Sequence, residues 1–558
     1  MSEEMRFDRY YRYDELTAYL QAWAATHAAI CKLDSLGKSY EGRDIWVMTV
    51  TNFASGSAAE KPALWVDGNI HATEVSASTA ALHLLHKLLT EYGRDERVTY
   101  ALDSRAFYIV PRLNPDGAEW ALADIPKYVR SSTRPYPRMD TLDGLHQEDV
   151  DGDGRILQMR LRDPNGNWKV HPDDPRIMIP RAADEPPGDN FYRVLPEGRI
   201  QNYDGVTITP APNLQGLDLN RQFPIMWEPN ERGAGQYPGS EPEPQAAMRW
   251  VVDHPNITGS ISYHTFSGVY LRPPTKSADD NLPTPDLYAY KRLGAKATEL
   301  TGYPAVSVFH DFKYDPKEFI KGTFDDWMYE HRGVYAWTCE IWSVQRQAGI
   351  KDYKFMDWFR EHPQADDEAI MRWNDEALEG KGWVDWYEFE HPQLGSVEIG
   401  GWDFFNVWRN PPRHLLEKEV SPLSEFALYQ CLVSPRLEWY QVDVQSTGNL
   451  HWVRAVVQNT GWLPSHVSKR ALEQKVVREL EIDIALPEGT KLVTGKAKTM
   501  LGQLEGRDQQ SVSPIWGGDV TSERAKVEWV IEAETGTAVT ITASHERAGT
   551  IQKVIELG

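Results

Sequence analysis

Residues 61–92, "KPALWVDGNIHATEVSASTAALHLLHKLLTEY", decide the fold. The apolar run Ala63–Val66 ends in the polar residues Asp67–Asn69, which predicts a buried strand of a sheet covered on both faces. From Ser76 onward Ala81, Leu85, Leu88 and Leu89 fall at helical spacing. Between strand and helix stand His71 and Glu74, one helical turn apart, so both side chains can face one ion. Open α/β sheets place ligands at this kind of strand-to-helix switch. A second His-x-x-Glu, His414 and Glu417 in "PPRHLLEKE", follows two prolines and reads as a helix start.

Outward from this segment, "CKLDSLGKSYEGRDIWVMTVTN" (31–52) predicts two strands joined by a glycine-containing turn. "RAFYIVPRLNPDG" (105–117) predicts a buried strand that breaks at Asn114–Gly117. Further strand signals lie at "ITGSISYHT" (257–265) and "GVYAWTCEIW" (333–342). The alternation predicts an α/β domain over 1–432, a mixed open sheet with helices on both faces. Apolar periodicity vanishes over about 132–213, where Pro, Asp, Arg and Gly dominate; this reads as an insertion packed on the core. From 433 to 558 short alternating strands separated by Gly, Asn and Pro turns predict an all-β sandwich domain.

At 558 residues the chain is long enough for two or three domains. Its 59 Lys and Arg against 82 Asp and Glu leave −23 at pH 7, which disfavours nucleic acid and anionic membranes as partners. The opening "MSEEMRFDRYYRYDELTAYL" has neither a basic nor an apolar leader region, and no stretch is apolar enough to span a bilayer. Cys31, Cys339 and Cys431 are odd in number and far apart, which fits a reducing cytoplasm better than a disulfide framework.

Further residues stand where chemistry is possible. His264 ends a strand-like run and would complete a catalytic zinc set of three ligands, although an isolated histidine beside Tyr263 is more commonly a core residue. Glu340 follows an apolar strand, where burial raises a carboxyl pKa and suits a general base; the alternative is a core salt-bridge partner. Cys339 beside it reads as packing, since no histidine is placed nearby in sequence to activate it. Arg221 in "GLDLNRQFP" offers a planar fork for a carboxylate, with the Asn220 amide beside it.

These pieces occur in an order that resembles the zinc metallocarboxypeptidase family, the one containing the pancreatic carboxypeptidases. The matching stretches are "SLGKSYEGRDI", "DGNIHATE", "PRLNPDG", "GLDLNRQFP", "YPGSEPEPQA", "SYHTFSG", "GTFDDW" and "TCEIW", across roughly residues 8–345. The resemblance implies that His71, Glu74 and His264 bind one catalytic Zn2+ and that Asp218 holds the far nitrogen of His71. It implies that Asn220 and Arg221 clamp a peptide's free C-terminal carboxylate, with Glu340 as general base and then acid. Arg130 in "KYVRSSTR" best matches the arginine that polarises the scissile carbonyl, with Arg134 next. The family's mobile tyrosine has no match at its spacing: Tyr314 is the nearest tyrosine and Phe319 lies nearer the expected place. Aligning "DDW" puts Asp325 at the base of the side-chain pocket, which would favour C-terminal Lys or Arg; the alternative is that Asp325 pairs with a local cation.

The implied activity is metallocarboxypeptidase hydrolysis. A peptidoglycan-type or γ-linked amino-acid peptidase on the same fold is one alternative, and a non-catalytic binding protein another. Inside the insertion, "EDVDGDGRILQMR" (148–160) begins as a calcium loop does, with Asp149, Asp151 and Asp153 alternating and Gly154 following. Position 12 is Arg160 where such a loop needs an acid. The loop therefore reads either as a structural Ca2+ site whose missing acid comes from elsewhere or as a self-capped Asp/Gly turn.

Overall fold

The computed structural model describes residues 5–137, 141–315, 317–508, 515 and 518–558. Small parts of the expected insertion (138–140) and of the expected sandwich (509–514, 516–517) lie outside the described residues.

Eight strands form the main sheet: β1 Cys31–Lys38, β2 Asp44–Val50, β3 Ala63–Gly68, β4 Ala106–Val110, β5 Ile257–Thr265, β6 Val269–Arg272, β7 Ala305–Ser307 and β8 Tyr335–Ile341. Their spatial order is β1-β2-β4-β3-β5-β8-β6-β7. The middle four, β4-β3-β5-β8, run parallel, and antiparallel pairing sets in on either side of them. Every residue of β3, β4, β5 and β8 is buried. Alternate side chains leave for opposite faces. Leu64, Val66, Phe107 and Ile109 meet the helices Val75–Glu91, Thr284–Thr301 and Arg413–Leu432. Ala63, Trp65 and Tyr108 meet Pro242–Asp253 and Phe324–Arg332. Two covered faces are why these strands read as continuous apolar runs rather than as alternating ones.

The insertion is more ordered than its composition suggests. Residues 158–196 contribute four short strands to a six-stranded antiparallel sheet, and the other two, Trp383–His391 and Gly395–Trp402, come from almost two hundred residues later. The two segments join where Ile399 pairs with Met159 and Glu398 with Arg160. The Arg160 guanidinium bonds Glu398 through Nε (2.9 Å) and Nη2 (3.2 Å), and lies over the Trp386 ring at 4.5 Å. Residues 383–402 thus belong to the insertion's sheet and not to the main one.

After the helix Arg413–Leu432 the chain forms two four-stranded sheets around a shared apolar core that includes Val453, Trp529, Ile541 and Leu557. This β unit is docked on the main sheet's layer. The Asp286 carboxylate accepts the backbone N–H groups of Lys469 (2.7 Å) and Arg470 (3.0 Å). The buried Arg547 guanidinium donates to the carbonyl oxygens of Gly333 and His466, both at 3.1 Å, and to that of Arg332.

Candidate active site

The site grows from the C-terminal ends of β3, β5 and β8. Gly68 ends β3 where an added Cβ would lie 2.5 Å from the Ala77 carbonyl oxygen, so only glycine lets the next helix sit this close. Asn69 then takes a left-handed conformation (φ 62°), which a short amide side chain tolerates, and its Nδ2 donates to the His71 carbonyl at 2.6 Å. That turn carries His71 out of the sheet and leaves Glu74 at the N-cap position of Val75–Glu91. Across the sheet His264 of β5 stands directly beside Glu340 of β8 in parallel register.

His71, Glu74 and His264 converge with ligand atoms within 4.8 Å of one another, and all three are buried. His71 Nδ1 and His264 Nδ1 lie 3.1 Å apart, and the Glu74 oxygens reach them at 3.0 and 3.1 Å. Two imidazole nitrogens and one carboxylate are a donor set suited to zinc. The far nitrogen of His71 lies 3.2 Å from Asp218 Oδ1. Asp218 owes its place to Gly233, where a Cβ would come within 2.5 Å of the Asp218 Cβ.

Charges alternate through the site. Asp218 Oδ2 accepts Arg130 Nε at 3.0 Å and lies 3.7 Å from Arg221 Nη1; Glu74 Oε1 lies 3.5 Å from Arg130 Nη1 and 3.7 Å from Arg409 Nη1. Burial alone would raise Asp218, but Arg130, Arg221 and His71 together hold its carboxyl well below the usual range. Glu74 is buried too, and His71 and His264 hold it low. Glu340 goes the other way: burial and the Glu74 charge push it up to about 7, against His264, Arg130 and Arg409.

A cavity of about 1060 Å³ opens over this cluster and is lined by Glu74, Arg130, Asp218, Arg221, Glu340 and Arg409, among others. Tyr314 and Phe319 both line it, and Arg130, Arg221 and Glu340 act electrostatically on the Tyr314 hydroxyl. Asn220 is buried beside Arg221 and accepts the Phe324 N–H at 2.9 Å, which ties this loop to the helix Phe324–Arg332.

Several expected residues are placed elsewhere. Asp325 is buried in the first turn of Phe324–Arg332, and its charge acts on Asp326 and Tyr290. That turn faces the core because Asp326 is held there by the N–H and hydroxyl of Thr275. Arg134 is taken up by Glu241, with Nε 2.8 Å from Oε2, so of these two arginines it is Arg130 that lines the cavity. His414 and Glu417 are exposed on a helix surface. In the 149–154 loop, Asp149 accepts the N–H groups of Gly152 and Gly154, and Asp153 turns to Arg155. Asp149 and Asp151 approach Glu197 instead, whose oxygens accept the Val150 and Leu157 N–H groups at 2.7 and 2.8 Å. Cys31, Cys339 and Cys431 are free and buried. Among the described residues, no helix is long and apolar enough to cross a membrane.

Arg409 was not legible in the sequence. Its signal is faint: one arginine closing an aromatic stretch, "WDFFNVWR" (402–409).

Comparison with known proteins gives the family. A family model described as Zinc carboxypeptidase matches residues 16–359, and one described as Domain of unknown function (DUF8731) matches 436–556. Carboxypeptidase A1 of Rattus norvegicus is 22% identical over 353 residues, covering 63% of this chain and 66% of that protein. Carboxypeptidase B of Astacus astacus is 25% identical over 225 residues, covering 40% and 64%. The chain thus spans just under two thirds of the length of these relatives. A crystal structure of thrombin activatable fibrinolysis inhibitor (TAFI) superposes with a TM-score of 0.42 at 15% identity, covering 77% of this chain and 75% of that one. Arg409 lies beyond the residues matched by the zinc carboxypeptidase model.

Proposed function

The chain belongs to the zinc carboxypeptidase family, and from that premise we propose that it is a metallocarboxypeptidase that releases the C-terminal residue of peptides with a free terminal carboxylate. The observation that carries this reading is the convergence of His71 Nδ1, His264 Nδ1 and the Glu74 carboxylate beside Glu340, with Arg221 in the same cavity.

His71, Glu74 and His264 would hold one zinc ion, and Asp218 fixes the His71 ring by taking its other nitrogen. Bound there, zinc would supply a Lewis acid and lower the pKa of water towards about 7. Arg221, with Asn220 beside it, receives the terminal carboxylate, since a guanidinium fork matches a carboxylate's two oxygens. Glu340 takes a proton from the attacking water as its oxygen adds to the scissile carbonyl carbon. Arg130 faces the oxygen on which negative charge then develops, where preorganised charge contributes most. As the C–N bond breaks, Glu340 returns the proton to the leaving amine. A pKa near the working pH is what a group that both takes and gives a proton needs. Of Tyr314 and Phe319, which both line the cavity, Tyr314 is the one with a hydroxyl to donate.

A preference for C-terminal Lys or Arg rests on Asp325, which is buried in the first turn of Phe324–Arg332. The same residues would serve a γ-linked or peptidoglycan-type substrate, because the clamp reads the terminal carboxylate and not the linkage. We take residues 1–432 as the catalytic unit and 433–558 as its accessory, with a reducing compartment suggested by the three free thiols. The calcium loop is assigned as a self-capped turn, on the strength of its backbone-bonded carboxylates.

Metal analysis of the purified protein with a panel of blocked dipeptides tests the activity. About one zinc per chain is expected. Glu340→Gln should keep the zinc and lower kcat by about 10²–10⁴-fold. Bound zinc with no turnover of any free-carboxylate substrate sinks the exopeptidase reading.

A further inference from the structure

The charged groups of the site form a row: Arg221, Asp218, Arg130, Glu74, Arg409, each within 3.7 Å of the next. Three cations share two carboxylates, and an arginine stands at each end. On the reading above, a substrate's terminal carboxylate answers Arg221. The scissile carbonyl lies near Glu74 and Glu340, so the chain leading away on the acyl side runs towards Arg409. Among the described residues, Glu74 is the one carboxylate within 4 Å of the Arg409 guanidinium, and it already belongs to the three-ligand cluster.

Arg409 is held as a binding group is held. Its Nη1 donates to the Thr265 carbonyl at 3.2 Å, and its guanidinium lies over the Phe266 ring at 5.0 Å and the Phe404 ring at 5.7 Å. Aromatic faces shield one side of the cation without neutralising it. The next residue, Asn410, is fully buried and anchors the segment to the loop that carries Glu74. Its Oδ1 accepts the Ser76 N–H at 3.0 Å, and its Nδ2 donates to the Thr73 carbonyl at 2.9 Å. The cation is thereby fixed against the metal-ligand loop while its guanidinium lines the cavity.

We propose that Arg409 is a specificity-determining residue that selects substrates carrying a carboxylate on the acyl side of the scissile bond. A planar guanidinium binds a carboxylate through paired hydrogen bonds, and in a partly desolvated cavity the match is worth more than in water. This assignment rests on the exopeptidase reading, since it takes its direction from the terminal carboxylate at Arg221.

The test uses the zinc-loaded full chain and three blocked dipeptides with the same C-terminal residue, preceded by Glu, Gln or Lys. The wild type should rank them Glu, Gln, Lys by kcat/KM. Arg409→Met should cut the Glu-to-Gln ratio by about tenfold or more, as expected for losing a charged hydrogen-bond partner, and Arg409→Lys should restore part of it. A second readout needs no turnover: Glu340→Gln, titrated with the same peptides by calorimetry, should bind them in the same order. The double variant with Arg409→Met should lose that order. Hydrolysis without preference for Glu over Gln, or a ratio unmoved by Arg409→Met, overturns the role of Arg409 and leaves the exopeptidase reading standing. Neither hydrolysis nor binding of any of the three overturns both.

Discussion

The main sheet and the insertion sheet solve the same problem, burying strands, by opposite routes. In the main sheet, strands β3, β5 and β8 are buried on both faces and bring His264 and Glu340 side by side by register, with His71 on the turn that follows β3. In the insertion sheet, short strands from 158–196 depend on a partner segment at 383–402 and share a small core of Leu145, Leu157, Met159, Ile200, Val397 and Ile399. The first route specifies geometry locally and tolerates change poorly. The second relies on a few long-range contacts, whose closure costs chain entropy before any contact repays it.

The largest expected effect falls on the first route. Asp218→Asn leaves shape nearly intact but removes the charge that holds His71 and Arg130, so zinc affinity should fall about tenfold to a hundredfold. Competition with a chelator reads this directly. An unchanged affinity would mean that the sheet edge alone positions the ligand.

Next in size is the hinge of the second route. Arg160→Met removes the bonds that tie residue 160 to Glu398 across the two segments. The pair is only partly shielded, with the Glu398 side chain 29% exposed, so about 1–2 kcal/mol of stability is expected to go, less than for a fully buried pair. Hydrogen exchange should show the loss confined to 158–196 and 383–402. Equal loss of protection in β3 and β5 would erase the distinction between the two sheets.

A smaller effect is pH-dependent. Burial, with Asp151 and Asp149 adding to it, raises Glu197 from its usual value to about 7. A carboxyl raised in the folded state contributes stability that is fully present below about 4.5 and lost as pH rises through about 7. The melting temperature of the wild type should therefore decline over that window more steeply than that of Glu197→Gln. Matching slopes would remove Glu197 from the account. The smallest effect concerns the neighbouring loop: treatment with a calcium chelator should leave the melting temperature unchanged, and a fall would return the loop to the calcium reading.

The same contrast explains what the sequence disclosed. The α/β class, the mixed sheet and the appended β unit were legible because each strand announces itself within ten residues. So was the pairing of His71 with Glu74, a spacing that lies inside one helical turn. The DDW motif fixes the sequence neighbours of Asp325 and not the side of the helix it occupies, which depends on the bonds of Asp326 to Thr275. Arg409 was missed because it reaches the site only after residues 383–402 have folded back, which no local pattern encodes. Glu197 was invisible for the same reason, arriving beside Asp149 and Asp151 from a different strand connection.

The docking of the C-terminal β unit has a consequence for anyone shortening this chain. Cut at residue 432, the remaining protein would present Asp286 without the Lys469 and Arg470 amides and Gly333 without the Arg547 guanidinium. Gly333 opens directly into β8, the strand that ends on Glu340. Removing the unit is therefore expected to weaken the start of that strand without touching a residue of the cavity.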